Sequence, residues 1–159
     1  MPAHQEAARE RRRVLNQPSV RVLAVDWGER RIGLAVSDPR GVIATGLPTL
    51  EVRGREHALT LVAAAAVAQE AARIVVGLPL LLSGKSGEAA ERATAFATAL
   101  AERTGLTVET YDERLTSALS QRRLHETGER GRRSKGRVDQ GAAIALLESY
   151  LQRLAGPPR

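Results

Sequence analysis

Acidic side chains stand at the ends of three apolar runs, and their spacing is the first sign of chemistry. Asp26 closes RVLAV, Asp112 and Glu113 follow LTVETY, and Asp139 stands in GRVDQGAAIALL ahead of the last apolar stripe. Carboxylates brought together repel one another unless a cation sits between them. The chain has no cysteine, and His4, His57 and His125 are scattered without ligand spacing. An all-oxygen donor set of this kind suits Mg²⁺ or Mn²⁺. Beside a phosphodiester, such an ion activates water and stabilises the leaving oxygen. Each acid also has a plain structural explanation. Asp26 could be a strand-end turn residue, Asp112 a helix cap, and Asp139 an acid in a helix first turn, favoured by the macrodipole.

Basic residues flank each acid. Arg30 and Arg31 follow Asp26, Arg114 adjoins Glu113, and Lys135 and Arg137 precede Asp139. The densest patch is Arg130, Arg132, Arg133 and Lys135. These groups could simply neutralise the acids, but they also suit a phosphate backbone. The formal net charge of +6 points the same way, to nucleic acid as partner. Structured RNA and branched or single-stranded DNA would serve equally, because phosphates dominate both kinds of contact. Lys85 lies in SGKSGE, which invites a P-loop reading. The spacing fails, with six residues between Gly77 and Gly84 where the motif needs four. The segment reads instead as a loop whose glycines and Ser86 start a helix, with Lys85 near substrate. Trp27 could stack on a base or pack against the sheet edge. Aromatic residues are 3% of the chain, so recognition by backbone and shape is expected.

The elements that must position these residues follow from apolar periodicity. Val20 to Asp26 and Ile32 to Ser37 read as strands joined by the short turn WGERR, an antiparallel hairpin. Ser37-Asp38 falls at the far end of that hairpin and reads as a turn. Val42 to Val52 is a third extended segment, bent at Gly46 and Pro48. Helix is expected over 56–71, strand over 73–77, and helix over 88–103 with an apolar face at Ala89, Ala93, Phe96, Ala97 and Leu100. Gly105 is its stop. Strand follows over 106–111, a helix over 115–127, a basic loop over 128–137, and a last helix over 138–154. Ile144, Leu147, Leu151 and Leu154 share a face of that helix. The order β-β-β-α-β-α-β-α-α predicts an α/β fold, a mixed five-stranded sheet flanked by helices. If the first strand and the two later ones run parallel side by side, their carboxyl ends lie on one edge, where open α/β sheets place ligands.

With 159 residues the chain fits one domain, expected over 20–154, between a basic extension (1–19) and a short tail (155–159). No apolar run approaches a membrane span, and the N-terminus lacks the apolar region of a secretory signal. The absence of cysteine is compatible with a reducing cytosol, so a cytoplasmic location is expected.

Four stretches carry a resemblance: VDWGERRIGLAVSD, IVVGLPLLLSGKSGE, YDERLTSALSQRRL and KGRVDQGAAIALLESYL. In this order they resemble the YqgF family, also called RuvX, of RNase H-like nucleases. The resemblance covers roughly residues 20–154. It implies an RNase H-like fold, a divalent-metal nuclease similar to Holliday junction resolvases, and a link to maturation of the 5′ end of pre-16S ribosomal RNA in bacteria. Carried over, Asp26 is the metal ligand on the first strand, Glu113 the second acid and Asp139 the acid on the last helix. The sequence leaves open whether Asp112 or Glu113 points at the metal; Glu113 is favoured, with Asp112 as cap, supporting residue or minor ligand, and Trp27 and Gly28 as further supporting residues. The fourth strand ends in Gly77-Leu78-Pro79 and carries no acid, so the second acid comes from the fifth. Cutting a four-way junction symmetrically would call for a homodimer, and the sequence leaves monomer or dimer open. Asp26-Trp27-Gly28 also resembles the phosphate loop of actin-like ATPases and sugar kinases. Those need two such domains, for which this chain is too short.

Overall fold

A computed structural model describes residues 5–6, 21–79, 87–116 and 132–156, with the backbone alone over 132–138. The strands are β1 (Val22–Asp26), β2 (Arg31–Ser37), β3 (Ala44–Glu51), β4 (Arg73–Leu78) and β5 (Thr107–Asp112). The helices are α1 (Arg55–Ala68), α2 (Glu88–Thr104) and α3 (Arg132–Ala155), and a 3₁₀ turn spans Glu113–Leu115. The five strands form one mixed sheet in the order β3-β2-β1-β4-β5. β1 pairs antiparallel with β2 and parallel with β4, and β4 pairs parallel with β5. The carboxyl ends of β1, β4 and β5 therefore share one edge, as expected.

Alternation along β1 divides the core between the two faces. Leu23 and Val25 pack with Val62 of α1 and with Phe96 and Leu100 of α2. Val22 and Ala24 pack with Ala143, Leu146, Leu147 and Tyr150 of α3. The sheet thus lies between α1 and α2 on one side and α3 on the other. β1 and β4 are apolar on both faces because both faces are covered. α2 ends where expected: Gly105 takes φ 69° and its N–H donates to the Ala101 carbonyl at 2.9 Å.

Four details differ from expectation. α3 begins at Arg132 rather than near Val138, so Arg132, Arg133, Lys135 and Arg137 stand on helix, not loop. Arg and Lys are good helix formers, and the single Gly136 costs only about 1 kcal/mol, so the punctuation misled. The buried side of α3 is centred on Ala143, Leu146, Leu147 and Tyr150, while Leu154 is exposed. On α2 it is Ala90, not Ala89, that is buried. The chain after β5 makes a 3₁₀ turn and an extended Thr116 where a helix was expected from Leu115. The rest of that expected helix, the segment 80–86 with Lys85 and Ser86, Arg130, and nearly all of the N-terminal extension lie outside the described residues.

Polar contacts fasten α3 to the opposite edge of the sheet. Arg73 Nη1 donates to the Tyr150 hydroxyl at 3.1 Å, and that hydroxyl donates to Glu109 Oε2 at 2.9 Å. The Tyr111 and Tyr150 rings meet edge to face at 5.8 Å. This clamp sets the helix axis and hence where its other end lies over β1 and β2.

Candidate active site

Asp26 ends β1 on the α3 face, by alternation from Val22 and Ala24. It is only 3% exposed. Its register partner across the hairpin is Gly33. On the other side, Val25 is level with Val76, so the next step of the same parallel register sets Gly77 beside Asp26. Asp26 is therefore flanked on both sides by glycine, and each glycine makes room for another acidic residue.

At Gly33 a Cβ would lie 2.2 Å from the Asp139 carbonyl oxygen and 3.3 Å from the Asp139 Cβ. α3 can sit this close to β2 only because the strand carries no side chain there. Its next residue repeats the arrangement: a Cβ at Gly46 of β3 would lie 2.4 Å from Gln140 Cγ, and Gln140 Nε2 donates to the Leu47 carbonyl at 3.0 Å. Asp139-Gln140 thus rests on two strand glycines. Asp139 Oδ2 lies 3.4 Å from Arg31 Nε, so the first residue of β2 faces this acid. Asp139 stands two turns inside α3, and the first turn of that helix holds no acid. Its placement therefore owes nothing to the macrodipole, which acts within the first turn.

At Gly77 a Cβ would lie 2.5 Å from Glu113 Oε1. Glu113 is fully buried. Burial, and secondarily the Asp112 charge, pushes its carboxyl up to about 7. Asp112 behaves in the opposite way. It accepts from the Arg114 backbone N–H at 2.9 Å and from Arg114 Nη2 at 2.7 Å, and this pairing holds its pKa below the usual value. Asp112 caps the 3₁₀ turn, and Glu113 turns inward beneath it.

The structure therefore gathers Asp26, Glu113 and Asp139 on one face of one sheet edge. It does not close them into a ligand cluster: among the described residues, no three His, Asp or Glu side chains are grouped to hold an ion. Arg30 and Arg31 stand at the same edge, where the Arg30 carbonyl accepts the Val52 N–H at 2.9 Å. Arg114 is engaged with Asp112. For Arg132, Arg133, Lys135 and Arg137 only the helical backbone is described. Gly28 forms a tight turn, where a Cβ would lie 2.5 Å from the Arg31 carbonyl oxygen. Trp27 points to the other face and packs on Phe96, with ring centroids 6.0 Å apart. Asp38 is the turn residue expected, accepting from the Val42 and Ile43 N–H groups at 2.7 and 2.9 Å.

The spacing of acids alone missed Gly33 and Gly77. Their signal was present, since glycine inside an apolar strand marks a close approach.

Comparison with known proteins bears on this arrangement. A family model described as RuvX, Holliday junction resolvase, matches residues 20–153. A protein of Koribacter versatilis (strain Ellin345) named "Putative pre-16S rRNA nuclease" is 39% identical over 142 residues, covering 87% of this chain and 93% of that one. A protein of the same name from Mycobacterium bovis (strain BCG / Pasteur 1173P2) is 41% identical over 137 residues, covering 85% of this chain and 81% of that one. Among solved structures, T. thermophilus RuvC in complex with Holliday junction substrate superposes with a TM-score of 0.55 at 17% identity. The match covers 86% of this chain and 97% of RuvC, and it establishes a shared RNase H-like fold.

Proposed function

Because this chain belongs to the RuvX family of nucleases, we propose that it is a divalent-metal-dependent phosphodiesterase that processes the 5′ end of pre-16S ribosomal RNA. The observation that carries the proposal is the pair of glycines flanking Asp26, one seating Asp139 and the other Glu113. Glycines at both positions give up strand stability to bring acids together, which a purely structural edge does not need.

The residues fit a metal in donor chemistry, and the two glycines seat Asp139 and Glu113 on either side of Asp26. Asp26, Glu113 and Asp139 would hold Mg²⁺ or Mn²⁺ through oxygen alone. A bound ion would supply Lewis-acid stabilisation of the phosphoryl oxygens and a water of lowered pKa. Burial pushes the Glu113 carboxyl up to about 7, so it is partly protonated near neutral pH, and binding of a cation there would displace that proton. Arg31 faces Asp139 and is placed to meet a substrate phosphate at the same edge. Arg30 stands beside it. The basic residues at 130–137 and Lys85 extend this phosphate contact in the proposal, and Trp27 and Gly28 shape the turn that follows Asp26. A substrate of this class places the protein in the cytoplasm. Among the described residues, no helix is long and apolar enough to cross a membrane.

The test is a substrate panel of pre-16S ribosomal RNA, single strands and a four-way DNA junction, each with Mg²⁺ or Mn²⁺. Asp26→Asn is expected to lower cleavage by about a hundredfold or more, as loss of a metal ligand should. Equal cleavage by the variant would remove Asp26 from the site. Preference for the four-way junction would move the substrate to branched DNA. Binding without metal-dependent cleavage of any member would make the protein a nucleic-acid-binding factor.

A further inference from the structure

Trp27 follows Asp26 directly, yet alternation sends the two side chains to opposite faces of the same edge. On the Trp27 side lies a pocket of about 320 Å³ walled by Trp27, Val52, Ala58, Ala95 and Phe96. That volume lies within the range of small-ligand sites, roughly 300–1,000 Å³. Phe96 is buried and backs the half-buried Trp27 ring at an interplanar angle of 36°, so the wall is fixed. Arg55 and the Arg92–Glu29 ion pair form its polar rim.

The pocket shares Glu29, Val52 and Gly54 with a second, more open cleft of about 990 Å³. This cleft is lined by Arg30, Arg31, Arg53 and His57 together with Glu29 and Glu51, and Glu29 is paired with Arg92, so positive charge is in excess. The His57 Nδ1 accepts the Arg53 N–H at 3.0 Å, which leaves Nε2 to carry the hydrogen of the neutral ring as a donor. An apolar slot opening into a basic cleft has the chemistry of a nucleotide: a flat base beside an anionic phosphate. A base held in a duplex is stacked and paired and cannot enter such a slot.

Resting on the nuclease reading above, we infer that this pocket receives an unpaired base of the substrate strand next to the cleaved phosphate. That nucleotide's phosphate lies in the Arg30, Arg53 and His57 cleft. The strand crosses the carboxyl end of β1, with the acids on one side and the base slot on the other. The protein thereby selects an unpaired nucleotide at the cut without reading its identity, since every base presents a face to stack.

Trp27 is the single tryptophan of the chain, so its fluorescence reports this pocket alone. The wild-type protein is titrated in EDTA, where metal-dependent cleavage cannot interfere, with a single-stranded RNA 12-mer. Controls are the same sequence fully paired, the same backbone without bases, and AMP at equal nucleotide concentration. Quenching by the single strand, and not by the duplex or the abasic strand, is expected. Equal quenching by the duplex or abasic strand, or none at all, would overturn the inference. Equal quenching by AMP would assign the pocket to free nucleotides instead and overturn it too. Ala95 is an exposed helix residue on the pocket wall, so Ala95→Leu fills the slot without entering the core. It is expected to weaken single-strand binding about tenfold relative to duplex, with thermal unfolding unchanged. Unchanged binding by a folded Ala95→Leu protein also overturns the inference. Quenching without any metal-dependent cleavage would sink the nuclease reading and leave the base slot standing. Cleavage without quenching would do the reverse.

Discussion

Asp112 and Glu113 are neighbours with the same functional group, yet their surroundings drive them in opposite directions. Asp112 is drawn toward its charged form by Arg114, chiefly through the side-chain hydrogen bond. Glu113 is driven toward its neutral form by burial, and its carboxyl rises to about 7. A stability profile should show the difference. Below the unfolded carboxyl value, about 4.5, Glu113 is protonated folded or unfolded and contributes nothing. As pH rises from there to about 7, the folded state holds more protons than the unfolded state, so stability falls; above that it is level. Converted at 1.36 kcal/mol per unit, the loss is roughly 3 kcal/mol. Asp112 and Asp38, both held below the usual value, act in the opposite sense and below about pH 4. In EDTA, the melting temperature of the wild type should therefore fall between pH 5 and 7.5. Glu113→Gln should flatten that slope, and an equal slope in the variant would show that Glu113 is not its source. Saturating Mg²⁺ should reduce the slope in the wild type, because a cation favours the carboxylate.

At the scale of elements, two glycines do different work. Gly77 of β4 meets the end of a flexible side chain, Glu113 Oε1, whereas Gly33 of β2 meets the backbone of α3. A methyl at Gly77 can be absorbed by swinging the carboxylate. Gly77→Ala should melt within a few degrees of wild type and still lose most of its cleavage. A methyl at Gly33 must lift α3 itself, which is held by Gln140 on Leu47 and by the Arg73–Tyr150–Glu109 contacts. Gly33→Ala should be destabilised by about 1–3 kcal/mol and lose cleavage as well. Thermal unfolding and cleavage measured side by side separate the two. Equal losses of stability would contradict this account of the two cradles. The limits of α3 make a related point. Its start at Arg132 shows a basic run with one glycine propagating as helix, because packing of the following turns on β1, β2 and β3 outweighs a local propensity cost.

For the whole molecule, the balance of +6 charges acts at a distance. Binding of a single-stranded RNA should weaken with salt, the logarithm of the constant falling linearly with the logarithm of concentration. The slope is about −0.7 for each phosphate neutralised. Arg53→Ala, in the basic cleft and away from the acids, should make that slope shallower by nearly one phosphate's worth and weaken binding evenly across sequences. A slope unchanged by the variant would remove Arg53 from the phosphate path.

Much of this architecture was legible in the chain. The alternation of apolar strands and Ala-rich helices is enough to set the layer order, because each element must bury its apolar face. Asp26 at the end of β1, Gly105 as the stop of α2 and Asp38 as a turn are local outcomes that local sequence controls. Which acid turns inward was not legible. Asp112 and Glu113 are adjacent, one ending β5 and the other opening the 3₁₀ turn, and the choice between them depends on Arg114 closing on one and Gly77 opening beneath the other. The same holds for Asp139, whose distance from Asp26 along the chain conveys nothing about their nearness. Sequence by itself determined the elements and the chemical type of the site. Only the tertiary structure decided which side chains meet, because their approach depends on the space left by Gly33 and Gly77 once the strands are in register.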